Sequence, residues 1–273
     1  MPTLTYAIPV SGFVYGITAL GPDIFINRQN SAGVEVYDST TFLLQRTLPV
    51  PVSEPRGVVC CPRYNCLYVG NTGNNIDLIY RVDLGAGNAI MKWKTDISCS
   101  LQCGLSINSV YNVLVACSGT NKLQEFTTFG ILVREIIFQG KMFSPVHAVQ
   151  MKNGQYVVSH ASPYNNVSII AVDGKVVHTY GNLHLFGAGP LGIVQNVAVC
   201  KNGCILVADS TNNGIVAMNP TLSCAHEVPI PGGLQRPWAL CFDESQGRLC
   251  VAQCNGILIL DNVMMNVGVH MRL

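Results

Sequence analysis

The chain has 273 residues, of which 49% are hydrophobic and only 11% charged, and its formal net charge is +1. Charged residues usually make up about 25% of a soluble domain, so much of this chain is expected to be buried. The near-neutral balance excludes a long-range field that would draw in nucleic acid or an anionic membrane by charge alone, and no apolar run approaches the roughly 18 residues of a membrane helix.

The chain opens on an orphan strand-like stretch, Leu4 to Val10, without the basic-then-apolar form of a signal peptide. It reads as soluble and cytoplasmic, or as extracellular if a leader has been trimmed. One pattern then recurs six times: an apolar strand, a tight polar turn, a second strand ending in a small or polar residue, a loop rich in Asn, Gly and Ser, and a third strand. The first strands are anchored at Tyr15, Arg56, Cys103, Val146, Asn196 and Trp238, spaced 41 to 50 residues apart. A four-stranded propeller blade takes about 40 to 50 residues. Leu43 to Val50 supplies a fourth strand in the first blade, and the opening stretch resembles it. That stretch is therefore expected to complete the last blade beside Gly256 to Leu260.

In the second unit, Arg56-Gly57-Val58-Val59-Cys60 leads through a Pro62-Arg63-Tyr64-Asn65 turn to Leu67-Tyr68-Val69-Gly70-Asn71, and Thr72 to Ile76 forms the polar loop. Among the 12 Cys, two pairs stand out, Cys60 with Cys66 and Cys200 with Cys204, each flanking a short turn. A disulfide at either would belong to an oxidising compartment; the other Cys sit in apolar stretches and read as small buried hydrophobes. Asn166-Val167-Ser168 is an N-glycosylation sequon. Gly187 to Gly192 superficially resembles a phosphate loop, but Pro190 and the lack of a following helix make it a plain connection.

The fifth unit carries the pattern most fully: Asn196 to Cys200, the turn Lys201-Asn202-Gly203, Ile205 to Asp209, the loop Ser210 to Gly214, and Ile215 to Met218. With Val197-Ala198 before it and Arg236-Pro237-Trp238-Ala239-Leu240 after it, this run resembles an NHL repeat. The resemblance covers essentially the whole chain and implies an all-β fold: a single domain over residues 1–273, built as a six-bladed β-propeller of four-stranded antiparallel blades. WD-type repeats fit less well, because no Gly-His and Trp-Asp pairs recur.

In such a ring the strand starts and second-strand ends surround the axis. The first set reads Tyr15, Arg56, Cys103, Val146 with His147, Asn196 and Trp238; the second reads Arg28, Asn71, Cys117, His160, Asp209 and Gln253. Aromatic, guanidinium and amide groups suit a small organic molecule or a peptide, so Tyr15, Arg28, Arg56, Asn71, Asn196, Trp238 and Gln253 are the candidate ligand-binding residues. His147, His160 and Asp209 are the catalytic candidates if the chain is an enzyme of lyase or hydrolase type. Asp209 also suits a purely local job, accepting hydrogen bonds from its own Asn-rich loop. Cys250 and Cys254 are too far apart along one strand for a mononuclear metal site, and neither a metal nor a cofactor is expected. The expected partner is a protein, peptide or small molecule; 16 Lys plus Arg over six blades do not make an extended phosphate-binding face.

Overall fold

The structure, a computed structural model, describes residues 2–71, 78–85, 87–95, 103–140, 144–160, 165–181, 189–254 and 256–263. After β1 (Thr3–Ile8), blade one comprises β2 (Val14–Leu20), β3 (Asp23–Arg28), β4 (Val34–Asp38) and β5 (Leu44–Leu48). Blade two is β6 (Pro55–Cys61), β7 (Cys66–Asn71), β8 (Leu78–Asp83) and β9 (Ile90–Lys94). Blade three is β10 (Cys103–Ile107), β11 (Val113–Cys117), β12 (Lys122–Phe126) and β13 (Leu132–Ile137). Blade four is β14 (Pro145–Gln150), β15 (Tyr156–His160), β16 (Asn166–Ile170) and β17 (Val176–Gly181). Blade five is β18 (Val194–Val199), β19 (Ile205–Asp209), β20 (Gly214–Met218) and β21 (Ala225–Glu227). Blade six is β22 (Ala239–Asp243), β23 (Arg248–Gln253) and β24 (Gly256–Asp261).

All six sheets are four-stranded, and every pairing is antiparallel. The sixth is completed by β1, in the order β1-β24-β23-β22. Thr3 faces Asp261 and Ile8 faces Ile257, so the ring closes by joining the chain's first strand to its last, as its likeness to a fourth strand predicts. Tyr6 also stacks on Phe42 of blade one, with ring centroids 4.9 Å apart.

The second strands of the blades are buried on both faces, which is why they read as unbroken apolar runs. In β7, Leu67 and Val69 pack towards blade one, whereas Tyr68 packs towards blade three. In β19, Ile205 and Val207 join blade four while Leu206 and Ala208 join blade six. Six such clusters, one between each pair of neighbouring blades, make up the core.

The period-two alternation of strands also settles the cysteine pairs. Cys66 lies opposite Cys61, while Cys60 lies opposite Leu67 on the other face, so the pairing of Cys60 with Cys66 is corrected by one residue. The Cys60 thiol instead donates to the Ala19 carbonyl oxygen of blade one at 2.9 Å. Cys200 and Cys204 do flank one hairpin, the Cys200 N–H donating to the Cys204 carbonyl at 2.9 Å, but Cys60, Cys66, Cys200 and Cys204 are all free thiols. Cys117 is disulfide-bonded. The sequon is interior: Asn166 and Ser168 are fully buried in β16. The Thr72 to Ile76 loop and the Gly187-Ala188 part of the Gly-rich connection lie outside the described residues.

A candidate binding site at the mouth of the axial channel

The inner strands β2, β6, β14 and β18 each carry a β-bulge at their start, between Val14 and Gly16, Pro55 and Val58, Pro145 and His147, and Val194 and Asn196. A bulge inserts an unpaired residue and turns its side chain out of the regular pleat. The residues so released are Tyr15, Arg56 with Gly57, Val146 and Gln195. Trp238 holds the corresponding place in blade six, its N–H donating to the Ala252 carbonyl at 2.8 Å. The register therefore corrects two anchors: Gln195, not Asn196, is the equivalent of Tyr15 and Arg56, and Cys103, which pairs with Cys117 and is followed by no bulge, holds the place of Val14 and Val194.

Asn196 belongs one step further along, in a ring with Gly16, Gly57, Gly104, His147 and Ala239. Small residues there let the blades converge. A Cβ on Gly104 would lie 2.1 Å from the Val146 carbonyl oxygen, and one on Gly16 would lie 2.7 Å from the Val58 nitrogen.

Both rings line a channel of about 220 Å³ along the axis, together with Thr18, Ser106, Val149, Cys241 and Phe242. Several of its polar groups stitch neighbouring blades. Ser106 Oγ donates to the Ala148 carbonyl, Leu240 N–H donates to Asn196 Oδ1 at 3.3 Å, and Asn27 Nδ2 donates to the Gly57 carbonyl at 3.2 Å.

The mouth is asymmetric. Trp238 of blade six, Tyr15 of blade one and Phe13 of the connection before it form a cluster with ring centroids 6.3 to 6.5 Å apart. Arg56 of blade two lays its guanidinium over Tyr15, 4.9 Å from the ring centroid, and pairs with Glu54 at 3.5 Å. Tyr15, Arg56 and Trp238 are half-buried and Phe13 is exposed, so an aromatic and cationic wall faces solvent. The opposite wall, from blades four and five, carries Val146, His147, Gln195 and Asn196.

His147 lines the channel with Nε2 3.1 Å from the Leu105 carbonyl oxygen, which fixes a proton on that nitrogen. Burial lowers its pKa to about 4, against the backbone contacts to Leu105 and Val197. His160 is wholly enclosed, edge-on to Phe138 with centroids 5.9 Å apart, and burial lowers its pKa to about 3. Asp209 is 1% exposed; its carboxylate accepts from Gly192 N–H at 2.9 Å and from the Asn212 side chain at 2.9 Å. Among the described residues no three His, Cys, Asp or Glu side chains converge as a metal-binding group, so His147, His160 and Asp209 are not assembled into one.

The second-strand ring, Arg28, Asn71, Cys117, His160, Asp209 and Gln253, lies at the same end of the blades, opposite the residues that start the inner strands, but does not line the channel. In four blades its side chain latches the incoming connection. Asn71 Oδ1 accepts from Ser53 and Glu54 N–H at 3.1 and 2.8 Å, and Gln253 Oε1 accepts from Gln235 N–H at 2.8 Å. Asp209 takes Gly192, as described, and Arg28 Nη1 donates to the Ser11 carbonyl at 2.9 Å while also pairing with Glu35 at 2.6 Å. These latches span 17 or 18 residues in every case, a periodic signal the sequence contains but residue type conceals. Phe13 and Gln195 are the site residues that sequence reasoning missed. Phe13 could have been found as the residue two before Tyr15 on an extended chain; Gln195 was hidden by the bulge.

No protein-family profile matches the chain, and no curated protein sequence does. Solved structures do match in fold. A streptogramin B lyase superposes with a TM-score of 0.70 at 12% identity, covering 95% of this chain and 97% of that one. Virginiamycin B lyase from Staphylococcus aureus gives 0.68 at 13% identity over 96% and 99% of the two chains. The PQQ-bound aldose sugar dehydrogenase of Streptomyces coelicolor gives 0.73 at 11% identity over 96% and 98%. The protein is thus an all-β, six-bladed propeller similar to these enzymes in architecture, and at such identities the likeness concerns fold alone.

Proposed function

We propose that this chain is a ligand-binding propeller that holds a small molecule, or one anchoring side chain of a peptide or protein, at the mouth of its axial channel. The observation that supports this reading is the gathering of Phe13, Tyr15, Trp238 and Arg56 from three neighbouring blades onto one solvent-facing wall. The inter-blade cores do not use these side chains. The channel volume, about 220 Å³, is below the roughly 300 to 1,000 Å³ of sites that enclose drug-sized ligands. A ligand therefore enters with one ring or one side chain. The lyase or hydrolase alternative has less to stand on, because general acid–base chemistry wants a group titrating near the working pH. His147 and His160 are held neutral far below that range, and the Asp209 carboxylate is spent on Gly192 and Asn212.

The test is a thermal-shift screen of small molecules and short peptides, followed by calorimetry and product analysis on each hit. Trp238→Ala and Arg56→Ala should keep the β-sheet circular dichroism of the parent while affinity falls by about 1 to 3 kcal/mol. Unchanged affinity in both variants would move the site elsewhere. Turnover that disappears in His147→Ala would reinstate the enzyme reading.

A further inference from the structure

We infer that Cys241 and Cys250 form a dithiol site at the wall of the axial channel, which a small hydroperoxide entering the channel converts into a cross-strand disulfide. The inference stands apart from the reading of the mouth as a ligand site.

The register supplies the geometry. Cys241 of β22 stands directly opposite Cys250 of β23, so both side chains leave the same face of the sheet. That face packs against blade one, where Cys250 belongs to the core cluster and Cys241 lies against it. Residues directly opposite in an antiparallel ladder have Cα atoms about 4.5 to 5.5 Å apart, within the roughly 4.4 to 6.8 Å that a disulfide spans. Both are free thiols, whereas Cys117 in blade three is disulfide-bonded, so this fold already accommodates oxidised cysteine.

Access sets this pair apart. Cys241 is half-buried and lines the channel, while Cys250 lies behind it at 1% exposure. Cys61 and Cys66 face each other in the same way across the first hairpin of blade two, but both are fully buried and neither lines the channel. At about 220 Å³ the channel is smaller than the sites that enclose drug-sized molecules, which suits a reagent of a few atoms.

With hydrogen peroxide, the Cys241 sulfur attacks one oxygen, the O–O bond breaks and water leaves, giving a sulfenic acid. The Cys250 sulfur then displaces that oxygen as a second water and forms the S–S bond. One peroxide is reduced and two thiols are oxidised, giving one disulfide and two waters. Burial pushes Cys250 up to about 12, and burial followed by the neighbouring Cys250 pushes Cys241 well above the usual thiol range. The thiolate is the reacting form, so closure is slow and the pair is a lock, not a rapid sensor. It ties β22 to β23 in the blade that β1 completes.

The test exposes the reduced full chain to millimolar hydrogen peroxide, alkylates the remaining thiols and reads the digest by mass spectrometry. A linked pair of peptides carrying Cys241 and Cys250 should appear. Cys250→Ala should stop the reaction at a Cys241 sulfenic acid that dimedone traps, and Cys241→Ala should leave Cys250 a free thiol. Cys61→Ala should not alter the link. Normalised to their rates with free cysteine, hydrogen peroxide should close the pair about ten-fold or more faster than cumene hydroperoxide, because reaction follows access. Absence of the link in the parent, a link from Cys241 to Cys60 in its place, or equal normalised rates for the two peroxides each overturns the inference. So does linking of Cys61 to Cys66 at the same rate, which would show reaction through opening of the fold.

Discussion

Acidification from pH 7 to pH 5 should remove about 4 kcal/mol of folding stability, because the fold keeps two imidazoles where they cannot take a proton. An unfolded His titrates near pH 6.5, whereas burial lowers His147 to about 4 and His160 to about 3. Below pH 6.5 the unfolded chain binds two protons that the folded chain refuses. Stability therefore falls as pH drops, by about 1.4 kcal/mol per pH unit for each residue, until the folded pKa is reached. At pH 5 that amounts to about 2 kcal/mol per His. Carboxylates act in the same direction but lower in pH. Lys122 and then Gln124 hold Glu135 below the usual carboxylate range, and the backbone N–H groups of Thr41 and Thr40 hold Asp38 there, so their contributions are lost at more acid pH. The assay is urea unfolding at pH 7, 6 and 5 with the slope against denaturant checked for constancy. His160→Leu should halve the pH dependence whatever it does to absolute stability, since only the slope is compared. A parent stability that is flat over this window, or a slope unchanged in His160→Leu, would refute the reasoning.

Deleting residues 1–8 should cost roughly 3 to 6 kcal/mol, combining the buried Ile8 side chain with the ladder hydrogen bonds to β24. The thermal midpoint should fall by on the order of 10 °C; a fall of only a degree or two would show that the ring does not depend on this closure. Gly104→Ala should cost about 3 kcal/mol, because its Cβ would press on the backbone of blade four. Gly154→Ala, at a hairpin with φ +84° and open space around it, should cost only about 1 to 2 kcal/mol from backbone strain. Equal costs for the two would show that close approach of the blades is not what Gly104 provides.

The fold is legible in the sequence because its determinants are local and repeated. A tight turn every blade, a second strand apolar on both faces and an opening stretch shaped like a fourth strand each survive without knowledge of distant contacts. The site is less legible because bulges decide it. Asn196 looks like the strand start, with Val197-Ala198 following in clean alternation, yet the extra residue at Gln195 shifts the ring by one place. Cys60 and Cys66 suffer a similar single-residue error, since both Cys60 and Cys61 precede the same turn and alternation alone decides which faces the partner strand.

The two rings differ in what the backbone leaves for their side chains to do. At the ends of the second strands, the connection from the preceding blade arrives with N–H or C=O groups that have no ladder partner, and a buried backbone group of that kind must be satisfied. Asn71, Asp209, Gln253 and Arg28 are chemically unlike, yet each can answer that single demand, so a position that looks variable in type is constant in role. His160 stands at the same place with neither ring nitrogen bonded, which is why its cost appears as pH sensitivity. At the bulges the demand is absent, because a bulged residue has already left the ladder. Tyr15 and Arg56 sit at such bulges and Trp238 at the corresponding place in blade six, so two rings and one cation on one side of the mouth are the chemistry that the fold turns towards solvent there.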